Sequence, residues 1–328
     1  MLPERIMKLR EIHQLAIKLA IEADIRGKKE VERQLKKSQE EFRELSKEKK
    51  KKFDLDRLTN LYLDSTILYG DPDRQVKTII AGIDVTTADL LLADRLNERF
   101  HMGIDVVVSH HPEGKALAKL STVMELQEDI YYRYGIPINV MNKFMDARSA
   151  EIHRAVHPLN HNQSVDAARL LDMPFVCLHT TSDNLVQRYI ENFVKKYEKK
   201  LVTLGEWIDV LSTIPEYEKA IPIGSGPVLF VGSKKNKAGK VAVTEMTGGT
   251  SGAKETYEKL ANAGVGTIIS MHMREDYRKE AEKNSLNVII CGHIPSDSIG
   301  MNLFLDHLEA KVIKIIPFSG LIRVRRKI

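Results

Sequence analysis

Short apolar runs and helically spaced apolar positions alternate along most of this chain. Runs rich in Val, Ile and Leu at 76–83, 104–108, 137–140, 174–178, 241–244, 267–270, 287–291, 312–316 and 321–324 sit between polar or turn-forming residues, which predicts strands. Between them, apolar residues recur every three or four positions, as at Leu90, Leu91, Ala93 and Leu96 and across 120–134, 186–197, 253–263 and 275–283, which predicts helices. Asp54 and Asp56 are placed to cap a further helix reaching Tyr62. Strand, helix and strand in that order imply parallel pairing through right-handed crossovers, so the expected class is α/β with mainly parallel sheets.

The first 52 residues follow another pattern. Leu9, Ile12, Ala16, Leu19, Ala20 and Ala23 form one apolar stripe, Gly27 permits a break, and Val31, Leu35, Phe42 and Leu45 form a thinner one. A charged helical hairpin over 1–52 is expected ahead of a core over 53–328, its stripes suited to self-association or to packing on that core. The charge excess lies here too: of 50 basic and 45 acidic residues, 16 and 10 fall within this arm, which therefore carries +6 against −1 for the remainder. The lysine run at 47–52 could attract phosphate backbones, making nucleic acid a candidate partner. It lacks interleaved aromatics, however, and a solvated helix end is the commoner explanation.

With 328 residues and 43% hydrophobic content the chain can bury a large core. No run approaches the roughly 20 apolar residues needed to span a bilayer, and the charged N-terminus has no signal-like apolar segment. A cytoplasmic protein without membrane partners is expected. Cys177 and Cys291 lie in apolar runs with no CxxC spacing, as befits buried thiols in a reducing compartment.

Candidate chemistry concentrates at three strand ends: Ser109, His110, His111 and Pro112; His179 to Asp183; and Gly292, His293 to Asp297. In a parallel sheet, residues at carboxyl ends of separate strands converge. Two adjacent histidines cannot share a face of a regular strand, but both can face one centre in the turn after it. His293 and Asp297 can face one another where the chain coils away from its strand, and Asp183 adds a hard oxygen donor. Three histidines and two carboxylates suit Zn, Mn, Fe, Co or Ni and are enough for two ions bridged by a carboxylate or water. Polar residues that merely cap strand ends are the alternative. His153, His157 and His161 are four apart, but Pro158 interrupts the turn and they read as surface or loop histidines. The turn from Glu245 to Gly252 joins a strand to a helix and could be an anion site or a plain tight turn; its spacing is not that of a Walker loop.

The segments GIDVT through DVVVSHHP, HTTSD, GGTSG and NVIICGHIPSD together resemble the NIF-three-like family, relatives of NGG-one interacting factor three also described as GTP cyclohydrolase I type 2 homologues. The similarity runs from about Asp64 to the C-terminus, and the adjacent histidines and the late glycine-histidine are its most specific marks. It implies a two-lobed α/β core, a dinuclear metal site with His110, His111, Asp183, His293 and Asp297 as ligands, His179 nearby in an outer position, and a homo-oligomer, commonly a toroidal hexamer. Three features depart from the family. Asp297 stands where Glu is usual, so its shorter side chain must bring its backbone closer or bind one metal only. Ser270, Met271 and His272 replace an acidic Thr-Gly-Glu segment, and the N-terminal hairpin has no counterpart.

Two function classes follow. One is a metal-dependent hydrolase acting on a small nucleotide or phosphoester, with GTP the substrate that the cyclohydrolase label implies and with Glu245 or His272 as proton shuttle. The other is a non-enzymatic metal-binding regulatory or metal-handling protein acting through partners.

Overall fold

The computed structural model describes residues 7–327, so the first six residues of the expected arm and Ile328 lie outside it. Its strands, in chain order, are β1 (Ser65–Tyr69), β2 (Thr78–Gly82), β3 (Val106–Ser109), β4 (Phe175–Leu178), β5 (Val228–Val231), β6 (Lys240–Val243), β7 (Val265–Ser270), β8 (Asn287–Ile290) and β9 (Lys314–Pro317), besides a two-residue antiparallel pair joining Met7–Lys8 to Gln75–Val76. One sheet has the order β9-β2-β3-β4-β1 and the other β5-β8-β7-β6. All neighbours are parallel except the edge strands β1 and β5, which run antiparallel to β4 and β8. Strands buried on both faces, such as β2 and β3, are near-continuous apolar runs, which is why they are legible as strands.

Six helices carry the argument: α1 (Leu9–Ala23), α2 (Lys28–Glu44), α3 (Thr87–Phe100), α4 (Ile138–Val156), α5 (Thr180–Tyr197) and α6 (His293–Glu309). Helix α6 leaves β8 in one sheet, and the chain then returns to the other as β9. Its residues Met301, Phe304, Leu305 and Leu308 pack with the five-stranded sheet, while Ile299 joins Val186, Ile190 and Val194 of α5 in the core of the four-stranded one. These two helices join the lobes at the carboxyl ends of the parallel strands.

Helix α1 packs its apolar stripe into the first sheet's core, with Leu9 and Ile12 fully buried. At its end the buried Asp24 carboxylate accepts from the Tyr62 hydroxyl at 2.8 Å and pairs with Arg26 at 2.8 Å. Helix α2 buries only Val31. Gly27, with φ 85°, makes the expected break between them.

Several segments differ from expectation. Residues 137–140 open α4 instead of forming a strand. Pro137 sits just ahead of the helix, where no intrahelical N–H is required, and Met141, Met145 and Arg148 continue a buried helical stripe. The segment 120–134 is split into a 3₁₀ turn at Leu120–Val123 and a helix at Leu126–Arg133, and residues 55–58 form only a short 3₁₀ turn. Residues 321–324 are irregular; the Ile322 amide donates to Ser298 Oγ at 3.0 Å, and Arg323 pairs with Asp306 and Glu309. Among the described residues no helix is long and apolar enough to cross a membrane.

Candidate metal centre

The carboxyl ends of strands from both sheets meet at one place. Beyond β3, the His110 and His111 amides still donate to the Gly82 and Ile83 carbonyls at 2.9 Å, and then the Ser109 hydroxyl caps the His111 carbonyl at 3.0 Å. The bend brings both imidazoles to one centre, their rings 5.1 Å apart. Beyond β4, His179 caps α5, and Asp183 lies one turn into it. Beyond β8, Gly292 takes φ 97° with Ser225 O only 2.1 Å from where a Cβ would lie, and α6 opens with His293 and, one turn on, Asp297.

Three imidazoles are held in the same way. His110 Nδ1 lies 3.0 Å from Ser182 Oγ. The Ser182 hydroxyl proton is engaged by the Leu178 carbonyl, so the serine accepts from Nδ1–H and leaves a lone pair on Nε2. His179 Nδ1 lies 2.8 Å from Asp64 Oδ2, and His111 Nδ1 lies 2.6 Å from Asp84 Oδ1. Each ring is thus tied by Nδ1 to an acceptor and turns Nε2 inward, the arrangement by which carboxylates orient metal-binding histidines.

The inward atoms lie at consistent spacings. His110 Nε2 is 3.4 Å from Asp183 Oδ1 and 3.4 Å from Asp297 Oδ1. Asp297 Oδ2 is 3.3 Å from His111 Nε2 and 3.5 Å from His293 Nε2, and those two nitrogens are 3.4 Å apart. His179 Nε2 lies 3.7 Å from Asp183 Oδ2. Donor atoms around one tetrahedral Zn-like ion, at bonds of 2.0–2.2 Å, stand roughly 3.3–3.6 Å from one another. His110 Nε2, Asp183 Oδ1 and both Asp297 oxygens are moreover buried without a hydrogen-bond partner. An unpaired buried polar atom costs about 1–3 kcal/mol, more if charged, so four in contact form a donor set that a cation would satisfy. His110, His179 and Asp183, and His110, His111 and Asp297, are the groups that could hold an ion among the described residues.

The electrostatics of the cluster are divided, with His110 and Asp297 in the forms that bind a cation and His111 and Asp183 drawn toward their protonated forms. Burial holds His110 down to about 4, so it is neutral at pH 7. Burial would also lower His111, but the Asp297 and Asp84 carboxylates raise it to about 10. Burial raises the Asp183 carboxyl well above the usual range, whereas Asp297, despite its burial, is held well below it by His110, His111 and His293.

The second lobe supplies the opposite wall. Glu245 follows β6 and His272 follows β7; both line a gap of about 10 Å³ together with His179, Asp183, His293 and Asp297, with room for about one water. The His272 ring is 4.8 Å from that of His293, and its Nδ1 lies 3.3 Å from Ser251 Oγ. The Tyr131 and Tyr257 hydroxyls donate to Glu245 Oε1 at 3.4 and 3.3 Å, Oε2 has no partner, and burial raises this carboxyl to about 7.

All seven singled-out residues therefore converge. His179, expected in an outer position, turns Nε2 into the cluster. Asp64, Asp84 and Ser182, which orient the histidines, were not singled out from sequence. Asp84 carried a usable signal, as the polar residue ending a strand at the same sheet edge. Asp64 carried none, because it precedes the antiparallel β1 and reaches that edge from the other direction. His153, His157 and His161 belong to no such group among the described residues.

The structure is similar to a NIF3 superfamily protein from Sphaerobacter thermophilus, with a TM-score of 0.70 and 26% identity over 79% of this chain and 92% of that one. The chain has a NIF3-like fold. The fold is also similar to that of reduced HcgD from Methanocaldococcus jannaschii, at 15% identity and a TM-score of 0.50 over 82% of this chain and 94% of that one. No sequence-family model and no curated protein matches the chain.

Proposed function

We propose that the chain is a metal-dependent hydrolase of a small nucleotide or phosphoester, built on a dinuclear centre. His110, His179 and Asp183 would hold one divalent ion with Asp297 Oδ1, and His111 and His293 the other with Asp297 Oδ2. The observation that carries this reading is Asp297: its two buried oxygens have no hydrogen-bond partner and each faces a different set of inward nitrogens. The shorter carboxylate thus suits a bridge, because it is placed in the first turn of α6, close to both histidine sets. Two ions there would supply Lewis acidity for a phosphoryl or carbonyl oxygen and a lowered pKa for bound water. The protein's own share is to orient the imidazoles through Ser182, Asp64 and Asp84, and to move a proton at Glu245 Oε2 near neutral pH.

The gap beside the cluster favours a second reading. It has room for about one water among these side chains. A protein that stores or passes on metal would need no larger opening. The two readings separate on turnover: metal-loaded protein is offered a panel of nucleotides and phosphoesters alongside His110→Ala. Hydrolysis by the wild type that disappears in the variant upholds the hydrolase. Full metal occupancy with no turnover of any compound in the panel leaves metal handling.

A further inference from the structure

A second, larger recess lies away from the metal cluster, beneath the arm. It has a volume of about 810 Å³, within the roughly 300–1,000 Å³ range of small-molecule sites. One wall is the underside of α2 with the segment that follows it, the other is the turn around residues 119–126, and Asn60, Tyr62, Leu63 and Thr180 contribute to its lining. None of the proposed metal ligands lines it.

Its lining is cationic. Arg26, Arg33, Lys37, Lys52, Arg57 and Lys119 face Glu41, Asp54 and Glu125, six positive charges against three negative. Three of the cations are already engaged: Arg26 by Asp24 at 2.8 Å, Arg33 by Glu30 at 2.6 Å, and Lys119 by Asp54. Lys37, Lys52 and Arg57 have no carboxylate partner among the described residues, and Arg57 lies 5.4 Å over the ring of Phe53. Lys37, Lys52 and Arg57, on separate elements and set against two unpaired carboxylates, Glu41 and Glu125, stand beside an aromatic ring and the Ser38 hydroxyl, groups that match the parts of a nucleoside polyphosphate. The dimensions favour a free nucleotide over a nucleic-acid strand. Of the lysines at 47 and 49–52, only Lys52 lines the cleft, so the basic run does not extend it into a backbone-tracking groove.

We infer that the cleft between α2 and the body binds a nucleoside polyphosphate, at a site separate from the metal centre and independent of the hydrolase reading. Lys37, Lys52 and Arg57 neutralise the phosphates, and Phe53 contributes apolar contact.

Titration calorimetry with ATP and with tripolyphosphate, on the full chain, tests this. Both probes are expected to bind once per chain, ATP more tightly, with affinity falling as salt rises. The double variant Lys37→Glu/Arg57→Glu, at exposed positions where the fold is retained by circular dichroism, should weaken ATP by roughly tenfold or more. Asp297→Ala should leave ATP binding unchanged. Absence of binding, or equal binding in the charge-reversed variant, overturns the assignment. Loss in Asp297→Ala alone overturns it as well, by placing the phosphates at the metal centre, and would leave the hydrolase reading standing. A single-stranded oligonucleotide bound in place of ATP, with the same dependence on Lys37 and Arg57, overturns the ligand class.

Discussion

Glu245 is a buried carboxyl whose Oε1 accepts from two tyrosines and whose Oε2 has no partner. Burial raises it from 4.5 to about 7, so the folded chain prefers its protonated form. The cost of ionising it in the fold is absent below pH 4.5, grows between 4.5 and 7, and is constant above; for this shift it reaches about 3 kcal/mol. Glu245→Gln should therefore gain stability over the wild type as pH rises from 5 to 8, by about that amount. Urea unfolding of chelator-treated protein at the two pH values measures it, and pH-independent differences would show that the carboxyl is not desolvated. Asp84 offers a second test. It is an exposed residue that holds His111 by Nδ1, so Asp84→Asn should weaken metal binding about 10- to 100-fold without unfolding the chain, as read by competition with a chromogenic chelator. The inward-facing donors were legible because His110, His111, Asp183, His293 and Asp297 end apolar runs. Their supports were not: Ser182 is one hydroxyl among several in a helix start, and Asp64 reaches the site only through the antiparallel pairing of β1.

At the scale of elements, the centre depends on how closely α5 and α6 approach. A Cβ on Gly300 of α6 would lie 2.3 Å from the Ser182 carbonyl oxygen of α5, a backbone atom with little freedom to move. Ala gains roughly 1 kcal/mol over Gly in a helix, but forcing these two helices apart should more than offset it, for a net loss of roughly 1–3 kcal/mol. Since the two helices carry Asp183 and Asp297, Gly300→Ala should also lower metal occupancy; thermal unfolding and elemental analysis together check this, and unchanged values in both would mean that the contact is slack. Most strands were legible because parallel strands buried on both faces are unbroken apolar runs. Residues 137–140 misled for the same reason: four residues cannot distinguish a buried strand from the first turn of a buried helix, and only the stripe continuing through Met141 and Met145 decides it. The tail at 321–324 is mostly apolar, as a strand would be, but Arg323 within it is drawn to Asp306 and Glu309, and Arg325 and Arg326 just beyond it to Glu309 and Glu216 on neighbouring helices.

In the molecule as a whole, two sheets that share α5 and α6 close around one cluster, and the N-terminal segment divides between core and surface. The sequence shows two apolar stripes of similar spacing, yet only that of α1 is deeply buried; α2, mostly charged, roofs the cationic cleft. Which stripe packs where is set by the long-range pairing of Met7–Lys8 with Gln75–Val76 and by the Tyr62–Asp24 contact, neither of which is local in sequence. Ile12→Ala should accordingly cost roughly 2–5 kcal/mol in denaturant unfolding, as for any filled core position; a negligible change would mean that α1 is only loosely attached.

The central claim is that the buried His and Asp atoms at the meeting of the two sheets exist to hold divalent ions. Native mass spectrometry of the wild type and of Asp297→Ala, each given Zn, Mn or Fe in excess and then desalted, tests it most directly. Wild-type chains should carry up to two ions each, and Asp297→Ala, folded by circular dichroism, should carry fewer, at most the one held by His110, His179 and Asp183. Equal occupancy in the two proteins, or a wild type that retains no divalent ion under any loading, would contradict the account.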